Sequence, residues 1–125
     1  MEHAKLTEEI IGCAYKVYNE LGFGFLESVY ENALVIELTK SGLSVEQQKP
    51  IDVFYQRERV GAFKADVIVN DPIIVELKSV QMLAREFEVQ LVNYLTATMK
   101  PVGLLINFGP KKVEVKRKIR LLPNS

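Results

Sequence analysis

Residues 60–79, VGAFKADVIVNDPIIVELKS, decide the fold, because this stretch predicts two strands joined by a turn. Two apolar runs flank residues 70–72, and asparagine, aspartate and proline are residue types that favour turns. A three-residue loop pairs Val69 with Ile73 in an antiparallel hairpin. The sequence therefore predicts a β-hairpin with a defined register.

This register gathers three charged side chains on one face of the sheet. Asp66 lies directly opposite Glu76, and Lys78 is two residues further along the strand of Glu76, so all three share a face. Two isoleucines, Ile68 and Ile74, are predicted beside them. The opposite face carries apolar residues only: Ala65, Val67, Val69, Ile73, Val75 and Leu77. A loop one residue shorter or longer would put Asp66 on the wrong face, so the site depends on this register.

Two opposed carboxylates in apolar strands are suited to binding a divalent cation. Their Cβ atoms lie about 4.5–5.5 Å apart in an antiparallel pair. Mg²⁺ (or Mn²⁺) accepts one or two carboxylates together with water and substrate phosphate oxygens. Lys78 could then orient an attacking water or stabilise developing charge. The alternative is a structural salt bridge in which Lys78 holds Asp66 and Glu76 on a solvent-facing sheet.

The periodicity along the chain predicts three helices and five strands. The helices are expected at 7–21 with Thr7 as the cap, at about 26–41, and at about 82–98. The strands are expected at 43–55 with a break at Pro50, then after a QRER turn at 60–69 and 73–79, then at VGLLINF, and finally within 111–120. VGLLINF lacks alternation, which indicates burial on both faces. The order α-α-β-β-β-α-β-β predicts an α/β fold with a mixed sheet flanked by helices, in one domain, residues 1–125.

Composition limits the function classes. Apolar residues make up 48% of the chain and charged residues 26%, as in ordinary soluble domains. The start, MEHAKLTEEI, has no signal-peptide pattern and no apolar run is long enough to cross a membrane, so we expect a cytoplasmic protein. One cysteine and one histidine, Cys13 and His3, cannot build a zinc site or a thiol catalyst, and we expect a buried Cys13.

Basic residues are concentrated near the end of the chain, although the formal net charge is zero. The segment KKVEVKRKIR at 111–120 carries six basic residues and one glutamate. Two interpretations stay open. The lysines could contact DNA phosphates, or they could protect an edge strand against aggregation. The lysines in question are Lys111, Lys112, Lys116 and Lys118.

Several motifs resemble those of a known family. Asp66 followed by Glu76-Leu77-Lys78 resembles the core motif of the PD-(D/E)XK nuclease superfamily, although Ala65 replaces the proline. GFLESVY at 24–30 is similar to the signature of the GxxExxY proteins, a small prokaryotic branch of that superfamily, and GLLINFG at 103–109 is also typical of it. Gln90 and Tyr94 resemble the Q-x-x-x-Y helix motif of exonuclease-like members. The resemblance covers roughly residues 6–120.

The resemblance implies a restriction-endonuclease-like fold and a nuclease that hydrolyses DNA through metal-activated water. It assigns Asp66 and Glu76 as metal ligands, Lys78 as the catalytic lysine, and Glu27 as an additional acid at the metal. Three further residues are expected to support the site or contact the DNA backbone: Gln90, Tyr94 and Tyr30, the last with packing as its main alternative.

A catalytically silent module with the same fold is the competing hypothesis. Such a module would bind nucleic acid or a protein partner without cutting. A basic edge strand is also compatible with a homodimer that works across two strands of DNA.

Overall fold

The computed structural model describes residues 3–121, which form three helices and one five-stranded sheet. The elements are α1 (Ala4–Leu21), α2 (Glu27–Lys40), β1 (Val45–Tyr55), β2 (Glu58–Val69), β3 (Ile73–Lys78), α3 (Arg85–Thr98), β4 (Val102–Phe108) and β5 (Val113–Ile119). Neighbouring strands follow the chain order, and only β3 and β4 are parallel. The expected element order and the mixed α/β sheet flanked by helices are therefore confirmed. None of the helices within 3–121 is long and apolar enough to span a membrane.

The sheet separates two apolar cores. The larger core packs α1 and α2 against one face, and α3 covers the other face through Leu91 and Leu95. Every residue of β4 is buried, as its unbroken apolar sequence predicts, because helices cover both of its faces. Cys13 is buried in the larger core as a free thiol, as expected.

The predicted hairpin register is confirmed. Val69 pairs with Ile73 across the three-residue loop. Asn70 and Asp71 adopt left-handed backbone angles (φ 51° and 77°), which these residue types tolerate. The Asn70 N–H donates to the Ser44 carbonyl at 2.9 Å, and its Oδ1 accepts from the Ser44 N–H at 2.8 Å. These two bonds tie the loop to the start of β1 and fix the register.

Two predicted helix starts are wrong. The first helix begins at Ala4, and the Thr7 hydroxyl donates to the Ala4 carbonyl at 2.9 Å instead of capping the helix. A threonine inside a helix can form this backward bond. The third helix begins at Arg85 and not near residue 82. The sequence periodicity locates these helices but not their first turns.

The strand predictions also need two corrections. β1 continues through Pro50, which pairs with Lys64, because an edge strand tolerates a residue without an N–H. The turn after β1 is shorter than QRER. It consists of Gln56 and Arg57 (φ 50° and 69°), and two successive left-handed residues are typical of tight hairpin turns.

The side-chain alternation of β2 is interrupted at Asp66. Val67 lies in the larger core as predicted, but Ala65 packs in the core beneath α3, so its predicted face is wrong. The neighbouring strand explains the change. Gln48 occupies the position opposite Asp66 with a φ of 50°, and neither residue is part of the paired ladder. A left-handed residue in an extended strand breaks the two-residue period locally.

Candidate active site

β2 and β3 separate at Asp66, and two carboxylates occupy the resulting fork. The backbone ladder ends at the pair of Val67 and Val75. Beyond it, the Leu77 N–H donates to Asp66 Oδ2 at 2.9 Å, and the Asp66 N–H donates to Glu76 Oε1 at 3.3 Å. Each acid thus accepts a backbone N–H that no longer has a ladder partner. The two predicted acids lie side by side.

Burial and mutual repulsion dominate the electrostatics of this pair. Glu76 is 8% exposed. Burial, followed by the charge of Asp66 and a hydrogen bond to it, raises the pKa of Glu76 from 4.5 to about 9. Lys78 opposes this rise, but its effect is the smallest. Glu76 is therefore protonated at neutral pH in the absence of a cation. A bound cation could relieve the repulsion between the two carboxylates instead of the proton.

Lys78 is held by α3 and not by the acids. Its Nζ lies 4.3 Å from the centroid of the Phe87 ring, a cation–π contact. Within the described part of the chain it forms no ion pair with Asp66 or Glu76, so the alternative of a structural salt bridge lacks its central contact. Lys78 is positioned beside the pair without neutralising it.

A second helix approaches the fork through Glu31, a residue that the sequence reasoning missed. Glu31 is nearly buried, with 9% of its surface exposed. Its Oε1 accepts from Gln48 Nε2 at 2.8 Å and its Oε2 from Gln47 Nε2 at 2.9 Å. Gln48 Nε2 also donates to Asp66 Oδ1 at 3.3 Å. The left-handed Gln48 therefore bridges the helical acid to the pair, and strained residues of this kind concentrate at functional sites.

Glu27 forms none of the hydrogen bonds of this network. It is exposed in the first turn of α2, one turn before Glu31. Within residues 3–121 no three histidine, cysteine, aspartate or glutamate side chains converge closely enough to ligate one ion. The structure thus brings together two of the three predicted metal acids. The burial of Glu31 and its hydrogen bonds to Gln47 and Gln48 distinguish the two helical glutamates, and the sequence reveals neither, because both depend on how α2 packs against β1.

Tyr94 and Gln90 lie on α3, on the side of the fork. The Tyr94 ring stacks on Phe63 with centroids 3.6 Å apart. Burial raises the pKa of Tyr94, and the charges of Glu76 and Asp66 raise it further, so the phenol lies within the field of the acids. Gln90 is exposed and lines a shallow groove beside Tyr94. Tyr94 is therefore near the acids, and Gln90 lies one helical turn before it on α3.

Tyr30 is a packing residue in this structure. Its ring is buried and stacks on Phe108 with centroids 4.4 Å apart. Its hydroxyl donates to the Gly22 carbonyl and accepts from the Phe25 N–H, which holds the segment between α1 and α2. Within the described part of the chain its hydroxyl bonds only to Gly22 and Phe25 and not to the acids, which agrees with the packing alternative.

The basic residues of the last strand differ in their surroundings. Lys118 Nζ lies 2.6 Å from Glu88 Oε1, so its charge is engaged by α3. Lys116 is exposed, and Lys111 and Lys112 are exposed in the turn between β4 and β5. A phosphate contact is therefore more accessible to these three lysines than to Lys118.

A buried asparagine, also missed by the sequence reasoning, fixes the chain after β3. Asn107 is fully buried and pairs with Lys78 in the parallel ladder. Its side chain accepts from the Val80 N–H at 2.9 Å and donates to the Val80 carbonyl at 3.0 Å and to Glu114 at 3.1 Å. Complete hydrogen bonding makes this burial tolerable. The single polar residue in VGLLINF was the available signal.

The fold and the fork define a restriction-endonuclease-like domain with an acidic pair on its central hairpin. Comparison with known proteins supports this class. The profile of the PD-(D/E)XK nuclease superfamily matches residues 4–118. The chain belongs to the PD-(D/E)XK nuclease superfamily.

A solved structure shares the fold. The crystal structure of SSO0001 superposes with a TM-score of 0.64 at 17% sequence identity, covering 97% of this chain. The chain spans 61% of the length of that protein. No curated protein matches the chain.

Proposed function

We propose that this domain is a metal-dependent nuclease that hydrolyses DNA phosphodiester bonds. Superfamily membership supports a nuclease-type function. The observation that carries the proposal is the adjacent pair of the half-buried Asp66 and the buried Glu76, whose proton a cation could replace. Two adjacent acids in an apolar setting destabilise the protein unless they bind something positive.

The donor set fits a hard divalent cation. PD-(D/E)XK nucleases generally use divalent metals, and two carboxylate groups supply the oxygen ligands that Mg²⁺ or Mn²⁺ accepts. Mg²⁺ usually keeps several waters, so a third protein ligand is not required. When bound, the ion would polarise the phosphoryl group and lower the pKa of a coordinated water.

The residues of the chain would contribute as follows. Asp66 and Glu76 would hold the ion, and Glu76 would release its proton to solvent in order to do so. Lys78 leaves the ring of Phe87, 4.3 Å away, to donate a hydrogen bond to the attacking water or to a phosphate oxygen. Tyr94 and Gln90 offer hydrogen bonds to the DNA backbone from α3.

Asp66→Asn tests the proposal. The amide keeps an oxygen that can accept from Leu77 but removes a negative charge. We expect Mg²⁺ binding, measured by calorimetry, to weaken by at least about tenfold, since even outer-shell partners of a metal are worth about 10–100-fold. Cleavage of single-stranded, duplex and branched DNA should be lost with it. Wild-type protein that binds no metal and cuts none of these DNAs would exclude the nuclease function.

The helical acid has two candidates, and a matched pair of variants decides between them. The resemblance assigns Glu27, whereas the hydrogen bonds through Gln48 favour Glu31. We expect Glu31→Gln to weaken Mg²⁺ binding by about 10–100-fold, because Gln48 would lose its charged partner and release Asp66. Glu27→Gln should change it by less than about twofold. If calorimetry shows that Glu27→Gln weakens Mg²⁺ binding and Glu31→Gln does not, Glu27 is the helical acid at the metal.

A catalytically silent module is the second candidate. It is favoured by the fact that both acids already accept backbone N–H groups, so they could serve only to close the fork. In that case the metal titrations would be flat. We also propose that the chain is a member of the GxxExxY branch and that residues 1–125 form a single domain. The domain would act as a homodimer or together with a protein partner.

A further inference from the structure

The first two strands of the sheet extend well beyond the third and form a projecting hairpin. β1 pairs with β2 from Val45 to Tyr55, whereas β3 pairs with β2 only as far as Val67. Residues 49–65, here called the arm, therefore have no third strand beside them. At about 3.3 Å per residue, the tip at Glu58 lies roughly 26 Å along the strand from Asp66.

The base of the arm rests on α3, next to the fork. Ile51 and Phe63 are half-buried and pack with Phe87 and Tyr94 on the core beneath α3. Phe87 holds Lys78, and Tyr94 lies in the field of the two acids. A linear ligand that extends from the fork towards the start of β2 would therefore lie along the arm.

The outer half of the arm exposes large apolar side chains with cations between them. Phe54, Tyr55 and Val60 are 61%, 64% and 62% exposed. Tyr55 pairs with Glu58 beside the turn, beyond a register shift between Val53 and Phe54. A group of exposed large apolar side chains is typical of an interaction surface.

The charges of the arm favour a polyanion over an apolar partner. Its cations are Lys49, Arg57, Arg59 and Lys64, and its acids are Asp52 and Glu58. Glu46 pairs with Lys49 and Asp52 with Arg59. Arg57 at the tip and Lys64 at the base have no acidic partner within the described residues, and both are exposed.

We propose that the arm binds single-stranded DNA that enters or leaves the fork, with Tyr55 stacking on a base and Arg57 and Lys64 contacting phosphates. This inference rests on the proposed nuclease function and adds the preferred substrate, a single strand or a single-stranded end. Aromatic side chains interleaved with cations are the recurring way in which proteins bind single strands without reading sequence. An apolar docking surface would not need Arg57 and Lys64 beside its aromatics.

Fluorescence anisotropy with a labelled oligothymidylate of 20 nucleotides tests the inference. All proteins carry Asp66→Asn, so that binding is measured without cleavage. Tyr55→Ala is expected to weaken binding about tenfold, within the range for loss of one stacked base. Arg57→Glu with Lys64→Glu should weaken it further and reduce the salt dependence, because each lost phosphate contact lowers the logarithmic slope by about 0.7. A duplex of equal length should respond less to Tyr55→Ala.

Two controls separate the arm from other surfaces. Tyr15, 45% exposed on α1, gives Tyr15→Ala as the matched aromatic control, which should bind like the parent. Lys111→Glu with Lys112→Glu tests the turn between β4 and β5 as a rival basic surface. If that double variant loses binding and the arm variants do not, the inference is overturned.

The outcomes also distinguish this inference from the proposed function. Wild-type cleavage with unimpaired binding by the arm variants would overturn the arm and keep the nuclease. An arm variant that turns a dimer into a monomer in sedimentation, with DNA affinity unchanged, would reassign the arm to a second copy of the chain. Absence of both metal binding and cleavage in the wild type would remove the proposed function itself.

Discussion

Glu76→Gln is expected to abolish metal-dependent DNA cleavage while making the metal-free protein more stable at pH 8. The loss of a metal ligand removes several kcal/mol of transition-state stabilisation, which is a decrease in rate of at least about a thousandfold. The amide keeps an oxygen to accept from the Asp66 N–H, so the fork should stay closed. Rates on single-stranded DNA and urea unfolding of the same preparations measure both effects.

The gain in stability has a definite cause. The folded protein must protonate Glu76 at pH 8, whereas the unfolded chain leaves it ionised, and a neutral amide avoids that cost. The expected gain in unfolding free energy is on the order of a few kcal/mol. Glu20→Gln on the exposed side of α1 is the control and should stay within about 0.5 kcal/mol. A variant that loses stability instead would mean that the pair is a structural device, as in the silent module.

The core of this site was accessible from the sequence because the hairpin is local. Three turn residues between two apolar runs predict the pairing of Val69 with Ile73, and this register predicts that Asp66 lies beside Glu76. Element order followed from periodicity in the same way. These predictions needed only contacts between residues close in the chain.

The remainder depended on contacts between distant segments. Whether Glu27 or Glu31 approaches the pair is decided by the rotation of α2 against β1, and Gln47 and Gln48 are 16 and 17 positions away from Glu31 in sequence. The left-handed backbone of Gln48 has no signal in a stretch that otherwise predicts a strand. The change of face at Ala65 lies next to this position, on the neighbouring strand.

The arm was hidden for a related reason. The sequence predicts strand lengths only approximately, and a strand broken at Pro50 would not project. The excess length of β1 and β2 becomes visible only when β3 is seen to end its pairing at Val75. The arm projects because β1 and β2 are longer than β3, and the sequence of one strand alone does not show how long its neighbours are.

The free energy of unfolding of the metal-free protein is expected to fall as the pH rises from 5 to 9. The pKa of Glu76 is about 9 in the folded protein and 4.5 as its ordinary value, so the folded state holds a proton that the unfolded state releases between these limits. Stability from this proton is complete below about pH 4.5 and is lost as the pH rises through 9. The slope approaches 1.4 kcal/mol per pH unit at most. Urea unfolding at pH 5.5, 7 and 8.5 measures it.

Mg²⁺ should reverse this trend, because it binds the ionised pair and competes with the proton. Affinity should therefore rise with pH, with about one proton released per ion near neutrality. Calorimetry in two buffers of different ionisation enthalpy counts that proton. Glu76→Gln should flatten the stability profile and remove both the proton release and the metal effect. A steep profile that survives in Glu76→Gln would show that Glu76 is not the group whose titration sets the stability of the protein.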